Sequence, residues 1–323
     1  MSAAKKTIAV VGATGSQGGG LARAILADPD GPFALRALTR DAGSPAARRL
    51  AEGGADVVAA DLDDEASVRA AFDGAYGAFV VTNFWAPRPE EDVRRRTAAQ
   101  MELEQAGNAA RAARAAGLRH VIWSTLEDTR PVLGSGADRM PLLEGDYTVP
   151  HFDAKAEADG LFTAAGVPTT FLRTAFFYEA FLRGNGPVRG EDGTLAITLP
   201  LGGAPLAAIA SDDIGRTALG VFRRPELAGG TVSIAGAHHT GTELAELFTT
   251  ALGEEVAYRP MSLDGYRAAA PFAADEVANM FAYYVRAADA FTGDRDLAAV
   301  RALNPALQSL PEWLAQHAAE FAR

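Results

Sequence analysis

Cysteine is absent from the 323 residues of this chain. A disulfide framework, a thiol nucleophile and a cysteine-ligated metal are therefore excluded, no metal site is expected, and the absence is typical of a cytoplasmic protein. Long apolar runs are also missing, since none reaches the roughly 18 residues that a membrane-spanning helix requires. Basic residues are outnumbered by acidic ones, giving a net charge of −11. This balance argues against a nucleic-acid partner, because phosphate backbones are bound by clustered lysine and arginine.

Three glycines at a regular spacing follow the first apolar run. They form a Gly-x-x-Gly-x-x-Gly pattern between a strand-like segment and a helical one. In a nucleotide-binding βαβ unit the first glycine makes the tight turn, the second lets the backbone approach a pyrophosphate, and the third lets the helix pack closely on the strand. The strand–turn–helix context favours nucleotide binding over a purely structural turn. The expected phosphate contacts come from Gly12, Thr14, Gly15, Ser16, Gln17 and Gly18.

Strand-like and helical runs alternate through the first half of the chain. This alternation predicts an α/β fold of the Rossmann-like type, a doubly wound parallel sheet with helices on both faces. The predicted strands are Thr7–Val11, Ala34–Thr39, Asp56–Ala60, Gly77–Thr82, Arg119–Ser124 and Thr169–Leu172. The predicted helices are Ser16–Ala27, Pro45–Glu52, Glu65–Phe72, Glu90–Ala116 and Lys155–Ala165.

After Arg173 the pattern changes to short strands, glycine turns and separated helices. We therefore predict a dinucleotide-binding Rossmann domain over residues 1–173 and a smaller C-terminal α/β lobe over residues 174–323. One return strand, Thr231–Ile234, is expected to rejoin the main sheet, so that the two are interleaved in sequence. Prolines and glycines without periodicity predict a loop over Asp128–Pro150, and a loop of this length is usually a functional lid or a mobile excursion.

Arg40, at the end of the second predicted strand, indicates which dinucleotide binds. In dinucleotide folds an acidic residue at this place accepts hydrogen bonds from the adenosine ribose. A guanidinium cannot accept such bonds but suits a 2′-phosphate, so the sequence favours NADP(H) over NAD(H). The alternative is that Arg40 pairs with Asp41 at the surface and Asp41 binds the ribose. Further cofactor contacts are expected where the third and fourth strands end, from Asp61, Leu62, Thr82, Asn83 and Phe84.

Together with Ser124 in the fifth predicted strand, these residues resemble the NmrA-like family of atypical short-chain dehydrogenase/reductases. Within that family the chain looks closest to the HSCARG type of NADP(H) sensor. Further matching stretches are His151–Lys155, Gly166–Pro168, Val277–Phe281 and Glu312–Leu314. The resemblance covers essentially the whole chain and implies a Rossmann-like fold that binds NADP(H).

The resemblance also identifies a departure at the catalytic positions. Ordinary members of the superfamily use Ser, Tyr and Lys, and the phenol protonates a carbonyl as hydride arrives. Here Ser124 and Lys155 remain, but His151 stands at the tyrosine position. Three interpretations stay open: Lys155 only holds the nicotinamide ribose; His151 or Lys155 replaces tyrosine as the acid, since imidazole titrates near neutrality; or His151 only caps the helix that carries Lys155. Tyr147 could supply a phenol only if that helix continued back through Pro150, which is unfavourable.

An aromatic run, Phe176, Phe177 and Tyr178, follows the sixth predicted strand. It predicts a flat apolar wall for an aromatic or quinoid substrate, or else a hydrophobic seam between lobes. Two functions follow. One is a redox sensor whose loops respond to NADP(H) and report to a protein partner or within a homodimer. The other is an NADPH-dependent oxidoreductase that reduces a hydrophobic conjugated or quinoid small molecule, with Lys155 or His151 as the acid. The missing tyrosine favours the sensor, and the aromatic run favours the oxidoreductase.

Overall fold

The computed structural model describes residues 4–136, 138–270 and 272–321. Its strands are β1 (Lys6–Val11), β2 (Phe33–Thr39), β3 (Asp56–Ala59), β4 (Gly77–Val80), β5 (His120–Thr125), β6 (Thr169–Arg173), β7 (Phe176–Phe177), β8 (Val188–Arg189), β9 (Leu195–Ile197), β10 (Leu206–Ile209), β11 (Thr231–Ser233), β12 (Ala237–His239) and β13 (Val256–Tyr258). Its α-helices are α1 (Ser16–Leu26), α2 (Pro45–Glu52), α3 (Glu65–Phe72), α4 (Glu90–Arg95), α5 (Ala98–Ala115), α6 (Arg130–Leu133), α7 (Pro150–Ala165), α8 (Ser211–Phe222), α9 (Gly241–Leu252), α10 (Leu263–Ala269), α11 (Ala274–Arg286), α12 (Ala288–Gly293), α13 (Leu297–Leu303) and α14 (Leu310–His317). None of the helices in these residues is both long enough and apolar enough to cross a bilayer.

The main sheet has seven strands in the order β11-β6-β5-β4-β1-β2-β3. Every pairing from β6 across to β3 is parallel. The chain builds outward from β1 to β3 and then returns to place β4 on the other side of β1. Such a reversal opens a crevice at the carboxyl ends of the two central strands, where ligands of this fold class bind. The predicted Rossmann-like fold is confirmed, and the predicted return strand is present as β11.

The long helix predicted over Glu90–Ala116 is wrong, because the structure divides it into α4 and α5. Arg96 has extended backbone angles, φ −148° and ψ 154°, which end α4. Thr97 then caps α5: its hydroxyl accepts from the Gln100 N–H at 3.2 Å, and the Gln100 side chain accepts from the Thr97 N–H at 2.9 Å. This reciprocal capping box starts a new helix. The buried Arg96 guanidinium fixes the junction by ion pairs to Asp63, Asp92 and Glu104.

Small residues bring α5 close to the sheet. Its inward face is largely alanine, and these alanines share one buried cluster with Trp123, Phe72 and Phe162. Because alanine has only a methyl side chain, the helix axis can approach the strands closely and the large rings fill the remaining space. The cluster covers the sheet beside β4 and β5, the strands that lead into the crevice.

The described chain falls into two compact units. The first comprises the residues up to Asp128, His151–Arg173 and Asp212–Val232, and it contains the main sheet. The second comprises Thr129–Pro150, Thr174–Ser211 and the residues from Ser233 onward. Residues 129–150 and 212–230 therefore lie in the other unit from the one predicted, whereas the start of the return strand lies in the first unit as predicted.

The segment predicted as a lid over Asp128–Pro150 is anchored within the second unit. It contains α6 and a β-bridge between Glu144 and Tyr147, with residue 137 outside the described residues. The buried Asn279 side chain donates from Nδ2 to the carbonyls of Thr148 at 2.8 Å and Pro141 at 3.1 Å. These two bonds attach the segment to α11 at Pro141 and at Thr148.

His120, the first residue of β5, is fully buried. Its Nε2 lies 2.8 Å from Thr170 Oγ1, and that hydroxyl donates to the Leu227 carbonyl at 2.9 Å. Nε2 must therefore carry the proton. Nδ1 has no hydrogen-bond partner among the described residues, as suits a neutral ring. Burial lowers the pKa of His120 to about 4.

This burial predicts an acid-dependent loss of stability. The unfolded chain protonates His120 below its ordinary pKa, whereas the folded protein does so only near pH 4. The contribution of the neutral His120 to the free energy of unfolding is therefore fully present above about pH 6.5. Between these values the contribution of His120 to the free energy of unfolding should fall by about 3 kcal/mol, at 1.36 kcal/mol for each unit of pKa difference, while Asp159, whose pKa burial raises to about 6, acts in the opposite direction over the same range. Urea denaturation at several pH values measures this slope. The contribution of His120 is the difference between the slopes of the wild type and His120→Gln, and equal slopes would contradict the assignment.

Candidate functional site

The glycine turn after β1 has the geometry of an anion cradle. Gly12 has φ +64°, a left-handed conformation that favours glycine, and the Gly15 N–H donates to its carbonyl at 2.8 Å. The first N–H that bonds within α1 belongs to Gly19, which donates to the Gly15 carbonyl at 3.0 Å. The N–H groups of Ser16, Gln17 and Gly18 therefore have no intrahelical acceptor, and no side chain caps them in the described structure. A helix start of this kind suits a phosphate.

Gly18 is required for close packing rather than for backbone freedom. A Cβ there would lie 2.5 Å from the Gly12 carbonyl oxygen and 2.6 Å from the Val11 carbonyl oxygen. Both are backbone atoms, so neither can move aside without displacing the turn. Thr14, Gly15 and Ser16 are exposed, and Gln17 is half-buried. All the predicted phosphate-contact residues thus belong to one turn with a free outer surface.

Gly18→Ala should therefore destabilise the protein, by about 1 to 3 kcal/mol as expected for an overpacked site. The matched control is Gly160→Ala in the middle of α7, where a Cβ would meet nothing within 4 Å. This control should raise stability by roughly 0.5 to 1 kcal/mol, because alanine favours the helix. Thermal and urea unfolding of both variants test the pair. Equal effects would mean that α1 does not need its close approach to the turn.

The second and third strands place the other cofactor candidates at the same edge of the sheet. Arg40 follows β2, is exposed, and makes no hydrogen bond or ion pair within the described ranges. The alternative pairing with Asp41 does not form, since the Asp41 carboxylate accepts from the Gly43 N–H at 2.8 Å. Asp61 and Leu62 follow β3 and are half-buried.

The fourth strand ends at Val80, two residues earlier than predicted, and is followed by Thr82 and Asn83. Thr82 is buried, whereas Asn83 is exposed and its side chain accepts from the Trp85 N–H at 3.2 Å. Phe84 is buried and packs edge-on against Trp85, with ring centroids 4.8 Å apart. Thr82 therefore faces inward, whereas Asn83 lies at the surface.

Lys155 is the centre of the site, and sequence reasoning missed its partner. The ammonium of Lys155 donates to Glu102 Oε1 at 2.5 Å and to Thr82 Oγ1 at 2.7 Å. The Thr82 hydroxyl itself donates to the same Glu102 oxygen. The Glu102 side chain is fully buried, and that of Lys155 is 10% exposed. Oppositely charged groups from α5 and α7 thus meet at the threonine that follows β4.

The same ammonium lies over an indole ring. Lys155 Nζ is 5.0 Å from the centre of the Trp123 ring, a cation–π distance. The Trp123 indole donates to Asp159 at 3.0 Å, and Thr125 donates to the same carboxylate oxygen at 2.7 Å. Burial raises the pKa of Asp159 to about 6, against the opposing effect of these hydrogen bonds and of nearby Arg173 and Lys155. Asp159 was also absent from the sequence-based site.

His151 lies in the first turn of α7, because the helix begins at Pro150 rather than at Lys155. The interpretation that His151 caps this helix is therefore wrong. Its ring packs against Trp85 and Phe84, with centroids 5.1 and 6.0 Å away. Lys155 follows one turn later. Tyr147 precedes the helix and is buried in the second unit, with the Arg130 guanidinium 5.3 Å from its ring centre.

Ser124 is buried near the carboxyl end of β5, and its hydroxyl donates to the Gln17 side chain at 2.7 Å. This bond joins the glycine turn to the predicted catalytic serine. The hydroxyl hydrogen of Ser124 is therefore directed at Gln17.

The predicted aromatic wall is not present as a single face. Phe176 and Tyr178 are buried inside the second unit, against Phe281 and Trp313 respectively, and Phe177 is half-exposed. Two of the three rings are thus core residues, since their packing partners lie within the same unit.

A seven-stranded sheet of this order, with a glycine turn after β1, is the architecture of a Rossmann-like nucleotide-binding protein. The chain belongs to the NmrA-like family, whose sequence profile matches residues 4–314. One relative is the NmrA-like family domain-containing oxidoreductase FrzB of Cladobotryum sp, 32% identical over 270 residues, which are 79% of this chain and 76% of the relative.

Solved structures share the fold. NmrA, a negative transcriptional regulator, superposes with a TM-score of 0.75 at 20% identity, covering 97% of this chain and 95% of the other. It has been solved with NAD and with NADP. The triphenylmethane reductase of Citrobacter sp., in complex with NADP(H), has a TM-score of 0.71 at 20% identity and covers 97% and 99%.

Proposed function

We propose that the protein is an NADPH-dependent oxidoreductase that reduces a hydrophobic conjugated or quinoid small molecule with Lys155 as the proton donor. The observation that carries this proposal is the buried amine of Lys155, held by Glu102 and Thr82 where β4 ends. The site thus holds a proton donor although the usual tyrosine is replaced. The oxidoreductase name of FrzB and the reductase activity named for the Citrobacter protein support the same class.

The residues of the first unit fit a bound NADP(H). The glycine turn offers unpaired N–H groups to the pyrophosphate, and a side chain at Gly18 would displace the backbone of that turn. The exposed Arg40 has no competing carboxylate partner in the described part of the chain, so its guanidinium is available for a 2′-phosphate. When bound, the coenzyme supplies the hydride. The protein's own groups then orient the substrate and deliver the proton.

His151, Phe84 and Trp85 form an aromatic corner on the turn of α7 before Lys155. Trp85 is 40% exposed, so part of its side chain can contact a flat ligand. This corner, rather than the segment Phe176–Tyr178, is the surface that we assign to the conjugated substrate. The bond from Ser124 to Gln17 leaves proton delivery to Lys155.

A second candidate function is a redox sensor of the HSCARG type, which binds NADP(H) without classical turnover and signals to a protein partner or within a homodimer. The imidazole at the usual tyrosine position favours it. The fold shared with NmrA, a negative transcriptional regulator, gives further support. In this role the Lys155 ammonium needs only its charge, to hold the coenzyme.

Lys155→Arg separates the two functions, because arginine keeps the charge but does not release its proton. For the oxidoreductase, kcat should fall at least about 100-fold, the contribution of a positioned acid, while NADPH affinity changes little. The measurement follows NADPH absorbance with a panel of quinones and enones, and NADPH affinity by calorimetry. His151→Asn should lower kcat less than Lys155→Arg. Wild-type protein that oxidises NADPH with no member of the panel, yet gains NADPH-dependent protease protection, would favour the sensor instead.

Arg40→Asp should reverse the coenzyme preference. The carboxylate repels a 2′-phosphate and accepts hydrogen bonds from the ribose hydroxyls of NAD(H). Calorimetric titration with NADPH and NADH should show NADPH binding weakened by at least about tenfold, which is 1.4 kcal/mol, and NADH binding strengthened. Unchanged affinities for both would contradict the role of Arg40.

A further inference from the structure

Glu102, the partner of Lys155, is a charged residue on an otherwise apolar helix face. Glu102 lies on the alanine-rich inward face of α5, with its side chain fully buried. One carboxylate oxygen binds both Lys155 and Thr82, while Oε2 has no hydrogen-bond partner among the described residues. An ionised carboxylate is costly to bury, and its cost is offset only by a well-placed cation. Lys155 is that cation.

The use of lysine at this place is itself informative. Lysine occurs only at Lys5, Lys6 and Lys155, although lysine and arginine together number 30. Arginine is the usual choice for buried ion pairs, because its planar fork binds both carboxylate oxygens and is weakly hydrated. It would also have satisfied Glu102 Oε2. Lysine leaves that oxygen unpaired but can release a proton, whereas arginine cannot.

We propose that Glu102 is the positioning residue for Lys155: its buried carboxylate keeps the amine protonated and directs it to the end of β4. This inference rests on the proposed oxidoreductase function. Glu102 Oε1 at 2.5 Å places an opposite charge in direct contact with the amine, and Thr82 Oγ1 at 2.7 Å fixes the direction of the ammonium.

The proton balance is closed by solvent. Bound NADPH would supply the hydride to the substrate carbon, and an N–H bond of Lys155 would break as an O–H bond forms on the substrate oxygen. Lys155 is then a neutral amine beside an ionised Glu102. A buried carboxylate without a cation is unfavourable, so the amine takes a proton from water and the pair is restored.

Among the described residues, Glu102 is the charged group that hydrogen-bonds to the Lys155 ammonium. Thr82, which follows β4, and the Trp123 ring of β5 also contact this amine, and neither titrates near neutrality. Asp159, one turn further along α7, acts on Lys155 through space, and Arg173 of β6 acts on Asp159. Asp159 bonds to Trp123 and Thr125 rather than to the amine, so Glu102 is the carboxylate in direct contact.

The scarcity of lysine allows a direct test that needs no turnover. In full-length protein labelled with 13C-lysine, NMR should show three ε-carbon signals, with those of the exposed Lys5 and Lys6 as internal references. In Glu102→Gln the titration midpoint of the Lys155 signal should lie at least one pH unit below its midpoint in the wild type. Equal midpoints in the two proteins would overturn the proposal.

The pH profile of kcat/KM provides the second readout. In Glu102→Gln the fall in activity at alkaline pH should begin at least one pH unit lower than in the wild type, which a merely structural role would not cause. The matched control is Glu157→Gln, an exposed carboxylate on α7, which should leave both the profile and the NMR titration unchanged. If Glu102→Gln shifts the NMR titration of Lys155 but the wild-type protein reduces no substrate, the pairing of Glu102 with Lys155 is supported and the oxidoreductase function is rejected.

Glu102→Gln leaves an unpaired buried ammonium and so destabilises the fold. Two further variants cover the case in which it does not fold. Glu102→Asp keeps the charge but withdraws it by one methylene, so the Lys155 signal should titrate as in the wild type while kcat falls at least tenfold. The double variant Glu102→Gln/Lys155→Met should fold and resist urea better than Glu102→Gln alone, because it removes both charges. Full activity in Glu102→Asp, or a double variant no more stable than the single one, would overturn the proposal.

Discussion

Pairing of one buried carboxylate with one buried amine determines how the first unit is assembled around its crevice. Glu102 comes from α5, Lys155 from α7, and the hydroxyl between them follows β4. Neither charge is tolerable alone in this interior, so both helices must be in register with the strand at the same time. The result is a cation fixed at the carboxyl end of β4. The adjacent strand β1 ends in a helix start that attracts anions. A long ligand with phosphates at one end and a reactive group at the other matches this arrangement.

Features that short-range sequence patterns determine were predictable from the sequence. The glycine turn, the β/α alternation and the return strand depend on residues close together in the chain, and the structure places them as expected. The same local signals explain two of the errors. Thr97 followed by Gln100 is a capping-box pattern, so the division between α4 and α5 was visible in principle. Pro150 is well suited to the first position of a helix, which indicates that α7 begins there and includes His151.

Features that depend on distant contacts were not predictable in the same way. Glu102 falls in the register of the buried alanines of α5, at Ala99, Ala106 and Ala109, so the sequence does show that one carboxylate lies on an apolar face. Its partner is 53 residues away, and nothing local connects the two. Phe176 and Tyr178 looked like a ligand surface because they follow a strand. Their burial depends on Phe281 and Trp313, more than 100 residues later.

Trp123 contacts two titratable side chains of α7, Lys155 and Asp159, which lie one turn apart. Its ring face lies near the Lys155 ammonium, while its indole N–H donates to Asp159. Burial raises the pKa of Asp159 to about 6, so at neutral pH the folded protein keeps this carboxylate ionised in a place that favours its neutral form. An asparagine would accept the same two hydrogen bonds without that cost. The carboxylate instead adds a second negative charge near Lys155. Residues that oppose stability in this way are expected where the chemistry of a site, rather than folding, determines their identity.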